Sequence, residues 1–215
     1  MKIQALKGIL LVIGFFLLVY VPTFAIVGFI KPGIVVAVPL TIVISFVLAI
    51  SIIAIQVLIS GSWREYGFRL GERRYILAAI VVGVPLGLVL TFIDKSLSPG
   101  DPLGIGHLKL WMLIVYFLIG SSIQEEVVFR GLLQTVLAKH LNLELGVAGK
   151  TLSLAALLIA LLFGLIHLEV GPFTAFAAFL LAVLAGELRH RSGSLVPAIL
   201  VHTIFNACGL LWMLK

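Results

Sequence analysis

Seven apolar stretches of membrane-spanning length, at residues 8–30, 34–60, 75–93, 109–137, 151–167, 172–188 and 194–214, leave this chain of 215 residues few ways to fold. In hydrocarbon every backbone N–H and C=O must be bonded within the protein, so stretches of this kind form helices. They are far longer than the strands of a transmembrane barrel and do not alternate apolar with polar residues. The expectation is an all-α protein, a polytopic transmembrane helical bundle of about seven spans, with residues 1–215 as a single membrane domain. Composition agrees. The chain is 62% apolar and 11% charged, whereas soluble domains run at about 45–50% and about 25%. So few charges cannot build an aqueous surface, and a lipid bilayer must solvate most of the exterior.

The net charge of +6 lies in the short gaps between apolar stretches, which argues for membrane orientation and against nucleic-acid binding. With the N-terminus in the cytoplasm, the inner segments carry ten Lys and Arg and the outer segments four. That asymmetry predicts seven spans and a cytoplasmic N-terminus. Lys2 and Lys7 before an apolar run, with Thr23-Phe24-Ala25 behind it, have the look of a signal peptide. The run continues to Ile30, however, so it reads as a first spanning helix. Residues 61–74 place Trp63, Tyr66 and Phe68 among arginines and read as an interfacial segment. Residues 94–106, rich in Pro, Gly and Ser, read as an irregular outer loop. His107 and His140 are expected in loops and His190 at a helix end, all solvated. Cys208 is the sole cysteine, so no intrachain disulfide forms. Ser194 and Pro197 suit the start of the last helix.

Ionisable residues inside such spans are expensive and mark candidate sites. The fourth span holds Glu125, Glu126 and Arg130. Glu126 and Arg130 stand at i,i+4 and can pair, while Glu125 points about 100° away. The fifth span ends in Phe163-Gly164-Leu165-Ile166-His167, and the seventh carries His202 and Asn206, again at i,i+4. Polar residues on three apolar helices are satisfied by turning inward to meet. A carboxylate beside a neutral imidazole can deprotonate water, and an amide with a second imidazole can stabilise an oxyanion. Alternatively, zinc could be held among Glu125, His167 and His202, with one position left for water. Both routes hydrolyse an amide. The depths match poorly: His167 lies about 24 Å along its helix from the inner end and His202 about 12 Å along its own. Either the fifth helix starts in the cytoplasm or the turn at 168–172 is sunk into the bundle.

Glu125-Glu126-x-x-x-Arg130, Phe163-x-x-x-His167 and His202-x-x-x-Asn206 resemble the three motifs of the CAAX-processing and bacteriocin-processing (CPBP, or ABI) intramembrane protease family, related to type II CAAX prenyl endopeptidases. Residues 109–208 form the core that carries them. The resemblance implies an intramembrane endopeptidase, of a family called metalloprotease, acting on a protein or peptide substrate. It implies that Glu125 activates water with His167, that His202 and Asn206 stabilise the oxyanion, and that Glu126 and Arg130 support them. Rival readings are a non-proteolytic immunity or scaffold protein, a transporter using the Glu/His cluster, and a serine protease built on Ser122 and His202.

Overall fold

The computed structural model describes residues 2–97, 108–147 and 150–213. Seven helices follow one another: α1 Lys2–Ile30, α2 Ile34–Ser60, α3 Arg73–Leu97, α4 Leu110–His140, α5 Leu154–Ile166, α6 Pro172–Ser192 and α7 Val196–Met213. The all-α bundle read from the sequence is what forms. Five of these helices are long and apolar enough to cross a membrane, and α5 and α7 are shorter apolar helices. Helix α4 includes His140 as its last residue, and α3 runs through residues 94–97, so neither is loop as expected. The rest of the 94–106 loop and His107 lie outside the described residues.

Helix α4 is the axis of the fold. Residues 126–137 are buried throughout, and Phe129, Leu132 and Leu133 pack against Val12 and Val19 of α1, Ile53 of α2, and Ile159 and Phe163 of α5. The outer faces of α1 to α3 stay apolar and exposed, as at Phe24, Val47, Leu77 and Val81, which suits helices solvated by lipid. A second core joins α3, α6 and α7 through Ala79, Leu181, Ala185, Leu188, Ala198 and Val201. There Gly83 and Gly87 of α3, a G-x-x-x-G pair, admit α7 closely. A Cβ on Gly83 would stand 2.8 Å from Val201, and one on Gly87 3.0 Å from Cys208.

The expected fifth span begins late. Residues 151–153 belong to a hairpin, Glu144–Val147 (β1) with Lys150–Ser153 (β2), antiparallel with Glu144 opposite Ser153. This departs from a purely helical reading. The hairpin is held by α6: the Ser153 N–H donates to Glu187 at 2.6 Å, and Arg191 donates to the Thr151 carbonyl at 2.5 Å. Helix α5 therefore starts against the side of α6, within the bundle. Its 13 residues rise only about 20 Å, short of a hydrocarbon core of about 30 Å.

The 61–72 loop is as mixed as its sequence. Tyr66 and Gly67 are buried, whereas Trp63 and Phe68 are exposed and stack edge to face. Gly67 has φ +89°, and its carbonyl accepts from Leu195 N–H at 3.0 Å, tying the loop to the start of α7. There the Ser194 hydroxyl accepts from Val196 N–H at 3.1 Å and donates to the Arg69 carbonyl at 2.6 Å.

Candidate active site

Two stretches of α4, Ile114–Ser121 and Val127–Leu133, are wound as π-helix, with Ser122–Glu126 in α form between them. Such winding is often found at functional sites, because it breaks the regular ladder and leaves carbonyls for other donors. The Phe117 carbonyl accepts from the Ser122 hydroxyl at 3.3 Å and from Asn206 Nδ2 at 3.0 Å. The Leu118 carbonyl accepts from the Thr203 hydroxyl at 3.2 Å. Helix α7 is thus docked on the irregular part of α4 by side-chain donors, which brings His202 against the two glutamates.

Glu126 is fully buried. It pairs with Arg130 at 3.0 Å, as the i,i+4 spacing foresees. It also meets His202 Nδ1 at 2.8 Å. An ionised carboxylate cannot donate, so Nδ1 is the donor, and in the neutral imidazole Nε2 is then bare. His202 Nε2 lies 3.8 Å from Glu125 Oε2, and the other oxygen of Glu125 accepts from the Ser121 hydroxyl at 2.5 Å. The Glu125 side chain is 21% exposed against 4% for His202, so it is the more open of the two. Glu125, Glu126, Arg130 and His202 are therefore assembled as one cluster.

His167 caps the end of α5 and is half-buried. Its Nδ1 donates to the Phe163 carbonyl at 2.7 Å, which again leaves Nε2 bare. Among the described residues no carboxylate lies within ion-pair distance of His167, so it reaches the cluster through Phe163. That ring sits 4.6 Å from the His167 ring, 5.9 Å from the His202 ring and 4.8 Å from the Arg130 guanidinium. Phe163, expected as packing, does pack, and it is also the wall shared by both imidazoles. Asn206 lies one turn beyond His202, with Nδ2 donating to Phe117 and, at 3.1 Å, to the Ser122 hydroxyl. Ser122 is thereby bound into the helix and makes no hydrogen bond to His202 among the described residues.

Residues not singled out by sequence complete the surroundings. Ser121 stands at i,i+4 to Glu125, a spacing that could have flagged it. Tyr20 of α1, its ring tilted against those of Phe16 and Phe129, accepts from Gln124 at 3.4 Å, and no local pattern announces that contact.

Zinc fits this arrangement poorly. The bare Nε2 atoms suit metal ligation, and Glu125 with His202 supplies two donors. Yet among the described residues no three His, Cys, Asp or Glu side chains converge as a metal site. Residues 107–208 match the model of a family described as Rce1-like, type II CAAX prenyl endopeptidase Rce1-like. The match runs from just before α4 into α7 and spans Glu125, Glu126, Arg130, His167, His202 and Asn206. No curated protein and no solved structure matches the chain.

Proposed function

We propose, from the match of residues 107–208 to the Rce1-like family model of type II CAAX prenyl endopeptidases, that this chain is an intramembrane endopeptidase working through Glu125, His167, His202 and Asn206. One observation carries the assignment of the base: Glu125 Oε2 and His202 Nε2 face each other at 3.8 Å. Two hydrogen bonds of about 2.8 Å from one water to these acceptors would enclose an angle of about 86°, near that between the O–H bonds of water.

The reaction then needs only this chain and water. Glu125 takes a proton from the water while its oxygen adds to the scissile carbonyl carbon. The C–N bond breaks as Glu125 returns that proton to the leaving amine. Glu126, anchored by Arg130, holds His202 in the tautomer that accepts from the water. His167 stands across Phe163 with Nε2 bare; both O–H bonds of the water are already directed at Glu125 and His202, so this imidazole is left to accept from an N–H of the substrate. Asn206 supplies an N–H to the oxyanion by releasing Ser122, and π-wound backbone that has already left its ladder makes that exchange local.

The substrate is a protein or peptide reaching the site from the bilayer, and the family description makes a prenylated CAAX terminus the first one to test. Purified protein in nanodiscs should cleave a prenylated CAAX peptide. Glu125→Gln should lower the rate by about 10²–10⁴-fold. An undiminished rate in Glu125→Gln sinks the assignment of the base, and a wild-type protein that binds but never cleaves favours the scaffold reading.

A further inference from the structure

Beside Arg130 the bundle holds an open cleft of about 360 Å³. Its walls include Arg130, Gln134, Lys139, Arg189, Glu65 and His190. Three of these are buried to a degree unusual for their chemistry: Arg130 is 1% exposed, Gln134 4% and Arg189 8%. Arg189 donates through Nη2 to the Glu65 carbonyl at 2.6 Å and to the Thr135 hydroxyl at 3.2 Å, while its Nε has no partner. Among the described residues no carboxylate lies within ion-pair distance of it. The Arg130 ion pair with Glu126 is close but not aligned as a hydrogen bond, so Nη1 and Nη2 keep unused donors. The one carboxylate on the wall, that of Glu65, is engaged with Lys139 at 2.9 Å at the mouth. A buried guanidinium without a counter-ion is costly, and several unused donors around one cavity lower that cost when an anion enters.

We infer that this cavity binds a phosphate group, carried by a phospholipid headgroup or free in solution. Two guanidinium groups and an ammonium match a tetrahedral, multiply charged oxyanion better than any neutral guest. At about 30 Å³ per water, a space of 360 Å³ accommodates a phosphate together with its ester groups. Glu65 comes from the 61–72 loop, whose exposed Trp63 and Phe68 sit beside Arg64, Arg69, Arg73 and Arg74. Aromatic and basic residues of this kind mark the headgroup level, where basic pockets between helices bind lipid phosphates. Gln134 Oε1, also unpartnered, is placed to accept from a headgroup hydroxyl. Arg130 is the wall between this cavity and Glu126, so an occupant shares a guanidinium with the cluster that orients His202. The inference stands on the cavity and does not depend on proteolysis.

The test uses the full chain in nanodiscs of neutral phosphatidylcholine. One arm adds phosphatidylglycerol to the lipid, and the other adds inorganic phosphate against chloride at matched ionic strength. The thermal midpoint should rise by several degrees over its control in at least one arm: the lipid arm alone identifies a headgroup, and a rise with inorganic phosphate identifies the free ion. Arg189→Gln should lose more than half of the rise. Lys139→Gln, at the exposed mouth, should also reduce it and decides the matter if Arg189→Gln does not fold. Arg73→Gln, a cation outside the cavity, should keep it. The proposal is overturned if neither arm exceeds its control, if Lys139→Gln keeps the whole rise, or if Arg73→Gln loses as much as the cavity variants.

Discussion

Replacing Arg130 by Met and Glu126 by Gln, singly and together, separates what the buried pair does for stability from what it does for chemistry. Both side chains are essentially inaccessible, at 1% and 0%, and lie 3.0 Å apart. Arg130→Met leaves Glu126 charged without its counter-ion, with the His202 N–H as its hydrogen-bond donor and its second oxygen unpartnered. Removing one member of a buried pair costs about 3–5 kcal/mol, whereas replacing both is often close to neutral. The double variant should therefore recover most of the stability lost by Arg130→Met. The coupling should appear as a non-additive cycle of a few kcal/mol, measured by reversible unfolding in mixed micelles. Activity should not recover with it. Without an anionic acceptor on Nδ1, His202 is no longer held with Nε2 bare, and orienting carboxylates of this kind contribute up to about 10⁴-fold. A cleavage rate at least about 100-fold below wild type is expected for the stable double variant. Wild-type activity in that variant would refute the argument that Glu126 acts through His202 and would leave the pair a packing element.

Ser122→Ala should retain most activity, since Ser122 is bonded within α4 and to Asn206; a complete loss, measured with the same peptide, would revive a serine nucleophile. Gly67→Ala should destabilise the protein by about 1–3 kcal/mol, because φ is +89° and the new Cβ would stand 2.7 Å from Arg189 Nε; unchanged unfolding in micelles would show that the loop yields. The Thr151 hydroxyl, and then His190, hold the Glu144 carboxylate below its usual range, so its folded-state pKa lies below the unfolded one. That contribution to hairpin docking is present above the ordinary carboxylate pKa and is lost as pH falls through the lowered one. The protection of amides 151–153, taken as the exchange rate relative to the intrinsic rate at each pH, should fall on acidification in wild type, and the same fall in Glu144→Gln would contradict this.

The local parts of the site were legible in the sequence because a helix repeats every 3.6 residues. That period alone puts Glu126 beside Arg130, turns Glu125 away and sets His202 and Asn206 on one face. It also puts Ser121 beside Glu125 and Gly83 beside Gly87, contacts that were there to be read. The seven helices follow with similar directness, since a backbone in lipid has no other way to bond itself. Tertiary structure decided the rest. Glu126 meets His202 across 76 residues of chain, and Tyr20 arrives from the first helix. Lipid tails are as apolar as leucine, so hydropathy does not say which helices meet; close fits such as Gly83 against Val201, and donors reaching loosened carbonyls such as that of Phe117, decide it. The hairpin is settled by Glu187 and Arg191 of α6, and it moves the start of α5 into the bundle. Sequence determined which groups must be hidden from lipid and on which helix face each lies. Only packing decided that one phenyl ring, Phe163, would lie between the two histidines, and that Arg189 would be buried with no carboxylate to meet it among the described residues.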